Sequence, residues 1–530
     1  MNLPTLNAIR SYLQGDGSVI LPEMELVLFA LGILVIDFWV QQKEKYWNAA
    51  LAFAGTVFSG MTLWMLRGQL ATRGDLIGFH ETAIVDSYFL FFSALFLIVA
   101  ALLILLSIRY LELANEQRGS YYALILLACA GMMLMVSGID LLVIFLGIET
   151  MALAFFALTS YAIREKQSGV ALQYALTSAF SSALMVFGFS LLYGLSGSTN
   201  IGRIASALAQ HSDLVRALAL SREHGAPADQ MRQLIQERIP IALQFDPHAL
   251  QFLPLAALLL VAAGVFFKLS AAPFHVWSLA IYRDSPTPIA AFLGAGSVAA
   301  ALSVLLRLLM TIFASFQQQW LYLLTAVAVL SILWGALGAL RESSLKPLVA
   351  YSIISQVGCI LLGMVAGNEA GLTGITFYLF SGAFAVVGTF AILIVLRQHA
   401  GAAETLSDLE GLFWRHPAVA FLLAVFVFSL TGVPGTSGFL GKYYIFKALL
   451  ETKHKPFVVA ALICLLPSLF VLGRILLPVF RKPSPEARRL PHPAMSSAEA
   501  IVLGTCVFVT IAAGLYPEPF LRLARYAFGQ

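Results

Sequence analysis

An all-α polytopic membrane protein with about fourteen transmembrane helices is predicted, and three observations predict it. The 530-residue chain is 60% hydrophobic and only 11% charged, with a mean hydropathy of +0.86. Apolar runs of about 20 residues, the length that crosses a hydrocarbon core, recur from end to end. Two of those runs are interrupted by proline and glycine. A soluble fold carries roughly 25% charged residues and is excluded, as are disordered and disulfide-stapled classes. The net charge of +4 is scattered, without a polybasic tail, so nucleic acid is not an expected partner.

The elements follow in order. Val19–Val40 comes after a polar opening and is long enough to span, so no cleavable signal peptide is expected. Trp47–Leu66, Ser87–Ile108, Tyr121–Ser137, Ile139–Ala162 and Gly169–Leu195 continue the series. The seventh run, Phe252–Ile281, is broken; Pro286–Phe313, Gln319–Leu340, Leu345–Ala366 and Leu372–Leu396 follow it. Pro417–Leu450 is broken in its turn, and Phe457–Phe480 and Ser497–Tyr516 close the series. The period-2 alternation of a membrane barrel is absent, and no strands are expected. Lys43, Lys45, Arg109, Arg118, Arg164 and Lys166 share one side if the N-terminus lies outside, which places both termini outside.

The connection at about 200–250 is the one sizeable extramembrane piece. Ile201, Ile204, Leu208, Val215 and Leu218 recur there at helical spacing, as do Met231, Leu234, Ile235 and Ile239. Two surface helices are expected from them.

The breaks carry the first functional signal. The seventh run reads Phe267-Lys268-Leu269-Ser270-Ala271-Ala272-Pro273-Phe274-His275, and the twelfth Leu430-Thr431-Gly432-Val433-Pro434-Gly435-Thr436-Ser437. A mid-span proline removes a backbone donor and frees a carbonyl that lipid cannot satisfy, so such a break belongs inside protein or beside water. The breaks lie five spans apart, so their helices run oppositely. Two inverted five-helix repeats with discontinuous helices 7 and 12 explain this pattern. The predicted division is residues 1–119 (spans 1–3), 120–313 (spans 4–8, with the insert), 314–480 (spans 9–13) and 481–530 (the last loop and span).

Charged residues inside the spans are the second signal. Glu149 lies midway along the fifth span, and Lys268 and Lys442 lie beside the breaks. An ionised group at the bilayer centre costs about 2.5–3.5 kcal/mol on the insertion scale, so it persists when paired, hydrated or needed. A Glu–Lys pair that opens and closes is a switch of proton affinity; one that stays closed is an ion pair holding helices together. Arg307 and Arg474 are expected to snorkel near span ends. Asp37, Asp86 and Asp140 are expected at interfaces, in contact with solvent. His275 either relays protons or caps the freed carbonyls by hydrogen bonding. Cys129, Cys359, Cys464 and Cys506 stand alone, at no metal-ligand spacing, so no metal is expected.

These stretches resemble a known family, the antiporter-like membrane subunits of respiratory complex I, shared with Mrp-type cation/proton antiporters and membrane-bound hydrogenases. Phe267–Ser278 with Ser285-Pro286-Thr287-Pro288, Leu345-Lys346-Pro347-Leu348-Val349-Ala350-Tyr351-Ser352, and Gly432–Tyr444 carry the likeness, which covers nearly the whole chain. Leu21-Pro22-Glu23-Met24-Glu25-Leu26 and the run ending in Leu191-Leu192-Tyr193-Gly194 are most similar to the N-type members. The resemblance implies a role in coupling quinone reduction to proton translocation. It assigns the switching pair to Glu149 and Lys268 and the exit lysine to Lys442. It also implies a bacterial inner (plasma) membrane location and partnership with other complex I membrane subunits and lipids. NADH, FMN, iron–sulfur clusters and quinone are expected in partner subunits, since no dinucleotide fingerprint follows a strand here.

The chain departs from that family at three central positions. Gln173, in Leu172-Gln173-Tyr174, stands where N-type members have lysine. Ser297-Val298-Ala299 lacks the lysine expected two residues after Gly296. Gln356 ends Ser352-Ile353-Ile354-Ser355-Gln356, where a histidine is usual. Phe380-Ser381-Gly382-Ala383-Phe384 in the eleventh span is also poor in polar groups. A weakened or interrupted proton path is expected, with water at Ser297, Ser303 and Gln356 as the substitute. Two alternatives stay open: an Mrp-type cation/proton antiporter subunit, and a structural spacer that has lost its channel.

Overall fold

Among the described residues, the connections between helices sort onto two opposite ends of the bundle, as they must in a chain that crosses a bilayer helix by helix. The protein is described by a computed structural model at residues 16–41, 44–114, 118–161, 167–210, 212, 247–400, 405–452, 469–483 and 495–529. The first six spans are α1 (Leu21–Asp37), α2 (Tyr46–Arg73), α3 (Ser87–Ala114), α4 (Gly119–Ser137), α5 (Leu141–Thr159) and α6 (Gln167–Ser196). The seventh is split into α7 (Pro247–Leu269) and α8 (Val276–Asp284). Next come α9 (Thr287–Thr311), α10 (Gln317–Arg341), α11 (Leu345–Ala366) and α12 (Glu369–Ala400). The twelfth span is split into α13 (Pro417–Thr431) and α14 (Ser437–Leu450). The series ends with α15 (Leu469–Phe480), α16 (Ser497–Leu515) and a short α17 (Glu518–Tyr526). Twelve of the described helices are long and apolar enough to cross a membrane. The shorter apolar α13 and α15 stand at the twelfth and thirteenth expected spans.

At one end, the α2–α3 connection forms a hairpin of β1 (Leu76–Gly78) and β2 (Ala83–Val85), with Ile77 opposite Ile84. Ala83 bridges to Gly138 between α4 and α5, and Asp140 bridges to Asn200 after α6. At the other end, Lys346 donates to the Ser285 carbonyl at 2.9 Å, Ser344 bridges to Thr405, and the Gly411 amide donates to the Pro478 carbonyl at 3.0 Å. The hairpin corrects the expectation of no strands. Its three-residue strands are too short to show an alternating pattern.

Two kinds of helix contact each occur twice along the chain. The α4–α5 and α10–α11 hairpins are both closed through glycines. A Cβ on Gly131 would fall 2.6 Å from the Met151 amide nitrogen, and one on Gly335 would fall 2.6 Å from that of Ser355. In the same way α6 packs on α7 and α12 on α14. Gly264 of α7 is pressed against Met185, and Gly441 of α14 against the ring of Tyr378. Among the described candidate spans, α9 is the one whose apolar window is wholly buried. Its turn Leu293–Ser297 is widened to π geometry, a feature that recurs where a helix serves a site.

Of the insert, 201–210 is helical, with Ile201, Ile204 and Leu208 buried as their spacing predicts. The second expected helix, around Met231–Ile239, and the first part of Phe457–Phe480 lie outside the described residues.

Candidate functional site

Both expected breaks are present, and each holds a lysine. In the seventh span α7 ends at Leu269 and α8 begins at Val276, with Pro273 between them after a cis peptide bond. Two backbone groups at the break have side-chain partners: the Trp277 indole donates to the Phe267 carbonyl at 3.1 Å, and the Ala272 amide donates to Ser331 Oγ at 2.9 Å. In the twelfth span Gly432 closes α13 with φ at 87°, a left-handed conformation that favours glycine, and Pro434 lies in the turn before α14.

Lys268, in the last turn of α7, is 9% exposed. Its Nζ donates to Ser178 Oγ at 2.7 Å and to Ser182 Oγ at 3.4 Å. The Ser182 hydroxyl donates in turn to Glu149 Oε1 in a short contact. The two charges on α5 and α7 are thus joined through a serine of α6. Such an arrangement holds a proton donor, a hydroxyl that can pass a proton either way, and an acceptor in one row. Neither serine was singled out by sequence. Serine is common in spans, and only the register of α6 against α7 reveals these two.

Lys442, in α14, is also buried, at 7% exposure. It donates to the Leu430 carbonyl at 3.3 Å and the Thr431 carbonyl at 3.0 Å, which are freed where α13 stops. A cation at these orphan carbonyls meets the negative end of the helix dipole. Lys442 therefore neutralises a helix end, while Lys268 is linked to a carboxylate.

His275 is 2% exposed, and its ring lies edge-on to Trp334 at 5.3 Å between centroids. It makes no side-chain capping bond, and Nδ1 has no partner. The capping role expected of it belongs to Trp277.

A small cavity of about 10 Å³ beside Lys268 is lined by Tyr174, Thr177, Ser178, Trp277 and Ser297, so Ser297 faces the Lys268 site. A second cavity, of about 20 Å³, is lined by Val298, Gln356 and Tyr378. Gln356 and Val298 thus meet at the centre of the molecule. The third departure does not: Gln173 stands on the exposed face of α6. Of the groups expected to hold substitute water, the Ser303 hydroxyl donates to the Ala300 carbonyl at 2.7 Å. Tyr378, absent from the sequence-based candidates, is the polar group that this centre adds.

The outlying charges have partners, and one expectation is corrected. Arg307 reaches to the start of α3, where its guanidinium contacts Asp86 at 3.0 Å and lies 4.9 Å from the centre of the Tyr88 ring. Asp140 is 7% exposed rather than solvated, and caps α5 by accepting from the Leu142 amide at 2.8 Å. Arg474 donates to the carbonyls of Ala339 and Leu340 at the end of α10. Among the described residues no group of three His, Cys, Asp or Glu is placed to hold a metal.

Comparison with known proteins gives a consistent result. The sequence profile of the family described as NADH:quinone oxidoreductase/Mrp antiporter, TM, matches residues 137–466. NADH-quinone oxidoreductase subunit N 2 of Solibacter usitatus is 36% identical over 519 residues, covering 97% of this chain and 98% of its own. A chain of respiratory complex I from Thermus thermophilus, solved with bound aureothin, superposes with a TM-score of 0.73 at 25% identity, covering 95% of this chain and 99% of its own. A chain of the Mrp complex from Dietzia shares the fold, with a TM-score of 0.75 at 20% identity and coverage of 95% and 96%.

Proposed function

The chain belongs to the NADH:quinone oxidoreductase/Mrp antiporter transmembrane family, and we propose that it occupies the subunit N position in the membrane arm of a respiratory NADH:quinone oxidoreductase. There it couples quinone reduction to proton translocation. The oxidation of NADH, with its FMN and iron–sulfur clusters, and the reduction of quinone take place in partner subunits. Its setting is a bacterial inner membrane, with both termini outside, and its two functional halves are residues 120–313 and 314–480.

The row Lys268–Ser182–Glu149 carries this reading. Glu149 and Lys268 form the switching pair. When Lys268 gives up its proton, Ser182 takes it while passing its own hydroxyl proton to Glu149, and the neutral amine left on Lys268 takes up the next proton. Lys442 is the exit group. Its bonds to the Leu430 and Thr431 carbonyls hold it in place whether or not it is charged, since a neutral amine still donates.

Between these ends the path is weakened. Val298 carries no proton, and Gln356 does not titrate. One observation favours a second reading, that of a spacer which keeps the fold without the channel: α9 presents Val298 to the central cavity. The test measures protons moved per electron pair by the assembled enzyme in proteoliposomes. Lys268→Ala and Glu149→Gln should each depress that ratio with assembly intact. If both leave it unchanged, the chain is a spacer. Sodium-dependent exchange in the absence of NADH would instead make it an antiporter subunit.

A further inference from the structure

The centre of the molecule contains polar atoms without partners. Tyr378 of α12 is 2% exposed and Gln356 of α11 is 7% exposed, and both the Tyr378 hydroxyl and Gln356 Nε2 lack any hydrogen-bond partner. Buried polar groups are otherwise almost always satisfied, by protein or by ordered water. Both residues line the cavity of about 20 Å³ beside Val298. One water needs about 10–15 Å³ of such space and two or more polar partners. The cavity has room for a single water, and Gln356 and Tyr378 are the polar side chains in an otherwise apolar lining.

Its position gives the site a role. The two cavities are served by consecutive residues of α9, the last of the widened turn and the one after it: Ser297 lines the cavity at Lys268, and Val298 lines the one at Gln356 and Tyr378. On the far side, the Tyr378 ring packs against Gly441, the residue before Lys442. The tyrosine thus stands between the apolar side chain and the exit lysine.

We propose that Gln356 and Tyr378 hold one ordered water beside Val298, and that the Tyr378 hydroxyl relays protons past that side chain toward Lys442. The inference rests on the reading of Lys268 and Lys442 as the ends of a proton path. Gln356 Nε2 donates to the water and fixes it. A proton that reaches the water is passed to a lone pair of the Tyr378 oxygen as the tyrosine gives its own proton to the neutral amine of Lys442, which becomes the ammonium. The hydroxyl and the water then turn back, and one proton has moved with no net change at either group.

The proton ratio of the assembled enzyme in proteoliposomes, measured for single variants, tests this. Tyr378→Phe removes one oxygen that has no protein partner, so assembly should be kept. It should lower protons per electron pair as far as Lys268→Ala does, and Val298→Lys added to Tyr378→Phe should restore it, which a packing role would not allow. If Lys268→Ala cripples pumping and Tyr378→Phe does not, the relay is wrong while the path stands. If Lys268→Ala itself is harmless, the path falls and the relay with it. A map of the unmodified enzyme fine enough to show waters gives a check that needs no variant. Density about 3 Å from both Tyr378 Oη and Gln356 Nε2 supports the site, and an empty cavity overturns it.

Discussion

Lys268 meets Glu149 through the hydroxyl of Ser182, which accepts from the lysine at 3.4 Å and donates to the carboxylate. A direct ion pair would hold both charges still. A hydroxyl between them keeps the attraction while leaving a group that can turn. Ser182→Ala should therefore slow proton transfer more than Ser178→Ala, because Ser178 bonds the lysine without reaching Glu149. A hydrogen bond to a charged group is worth about 1.5–3 kcal/mol, so the step should slow by about tenfold or more. Pumping rates of the two variants, at equal assembly, decide it. Equal rates would mean that the serines only solvate the lysine.

What the sequence revealed and what it hid divide on physical lines. Pro273 and Pro434 announce broken helices because the chemistry of proline is local, and Glu149, Lys268 and Lys442 stand out because charge in an apolar run is costly. Ser178, Ser182 and Tyr378 give no such signal. Each is ordinary in a span, and their importance lies in which helix faces which. The widened turn at Leu293–Ser297 is a backbone property with no residue signature. Gln173 shows the converse error, a departure from the family pattern that looks central in sequence and lies on an exposed face of α6.

The glycines that close the two hairpins should tolerate no side chain. Their added Cβ would meet backbone rather than a flexible side chain: 2.6 Å from the Met151 nitrogen for Gly131 and 2.6 Å from the Ser355 nitrogen for Gly335. Overpacking of this kind costs about 1–3 kcal/mol. Gly131→Ala and Gly335→Ala should each lower the melting temperature of the purified assembly. Gly60→Ala, where nothing lies within 4 Å, is the control. Indifference at Gly335 would mean that α10 and α11 separate more easily than their packing implies.

Arg307 and Asp86 tie α9 to the start of α3, where Asp86 also accepts from the Phe89 amide at 2.6 Å. Removing one partner of a largely buried pair leaves the other charge uncompensated, at a cost of about 3 kcal/mol or more. Arg307→Leu should therefore destabilise the assembly strongly. Asp86→Asn should do so less, because asparagine still accepts from Phe89. The double change Arg307→Leu with Asp86→Asn should be milder than the sum of the two. Thermal melts of the four proteins measure the coupling, and simple additivity would show that the pair contributes nothing as a pair.

Lys442 is the residue for which a structural and a proton-carrying role can be separated by one substitution. Its Nζ caps the Leu430 and Thr431 carbonyls at 3.3 and 3.0 Å, so Lys442→Ala removes both a cap and a titratable amine, and its effect is ambiguous. Arginine keeps the charge and the donors but does not give up its proton in a protein. Lys442→Arg should therefore preserve more of the assembly and melting temperature than Lys442→Ala, while pumping falls as far as it does in the alanine variant. The larger head must fit beside Gly432, where a Cβ would already lie 3.0 Å from Lys442 Cδ, so the melting temperature is read first. A stable arginine variant that pumps normally would leave Lys442 only a cap and move the exit elsewhere. A stable variant that does not pump would require the lysine to release its proton.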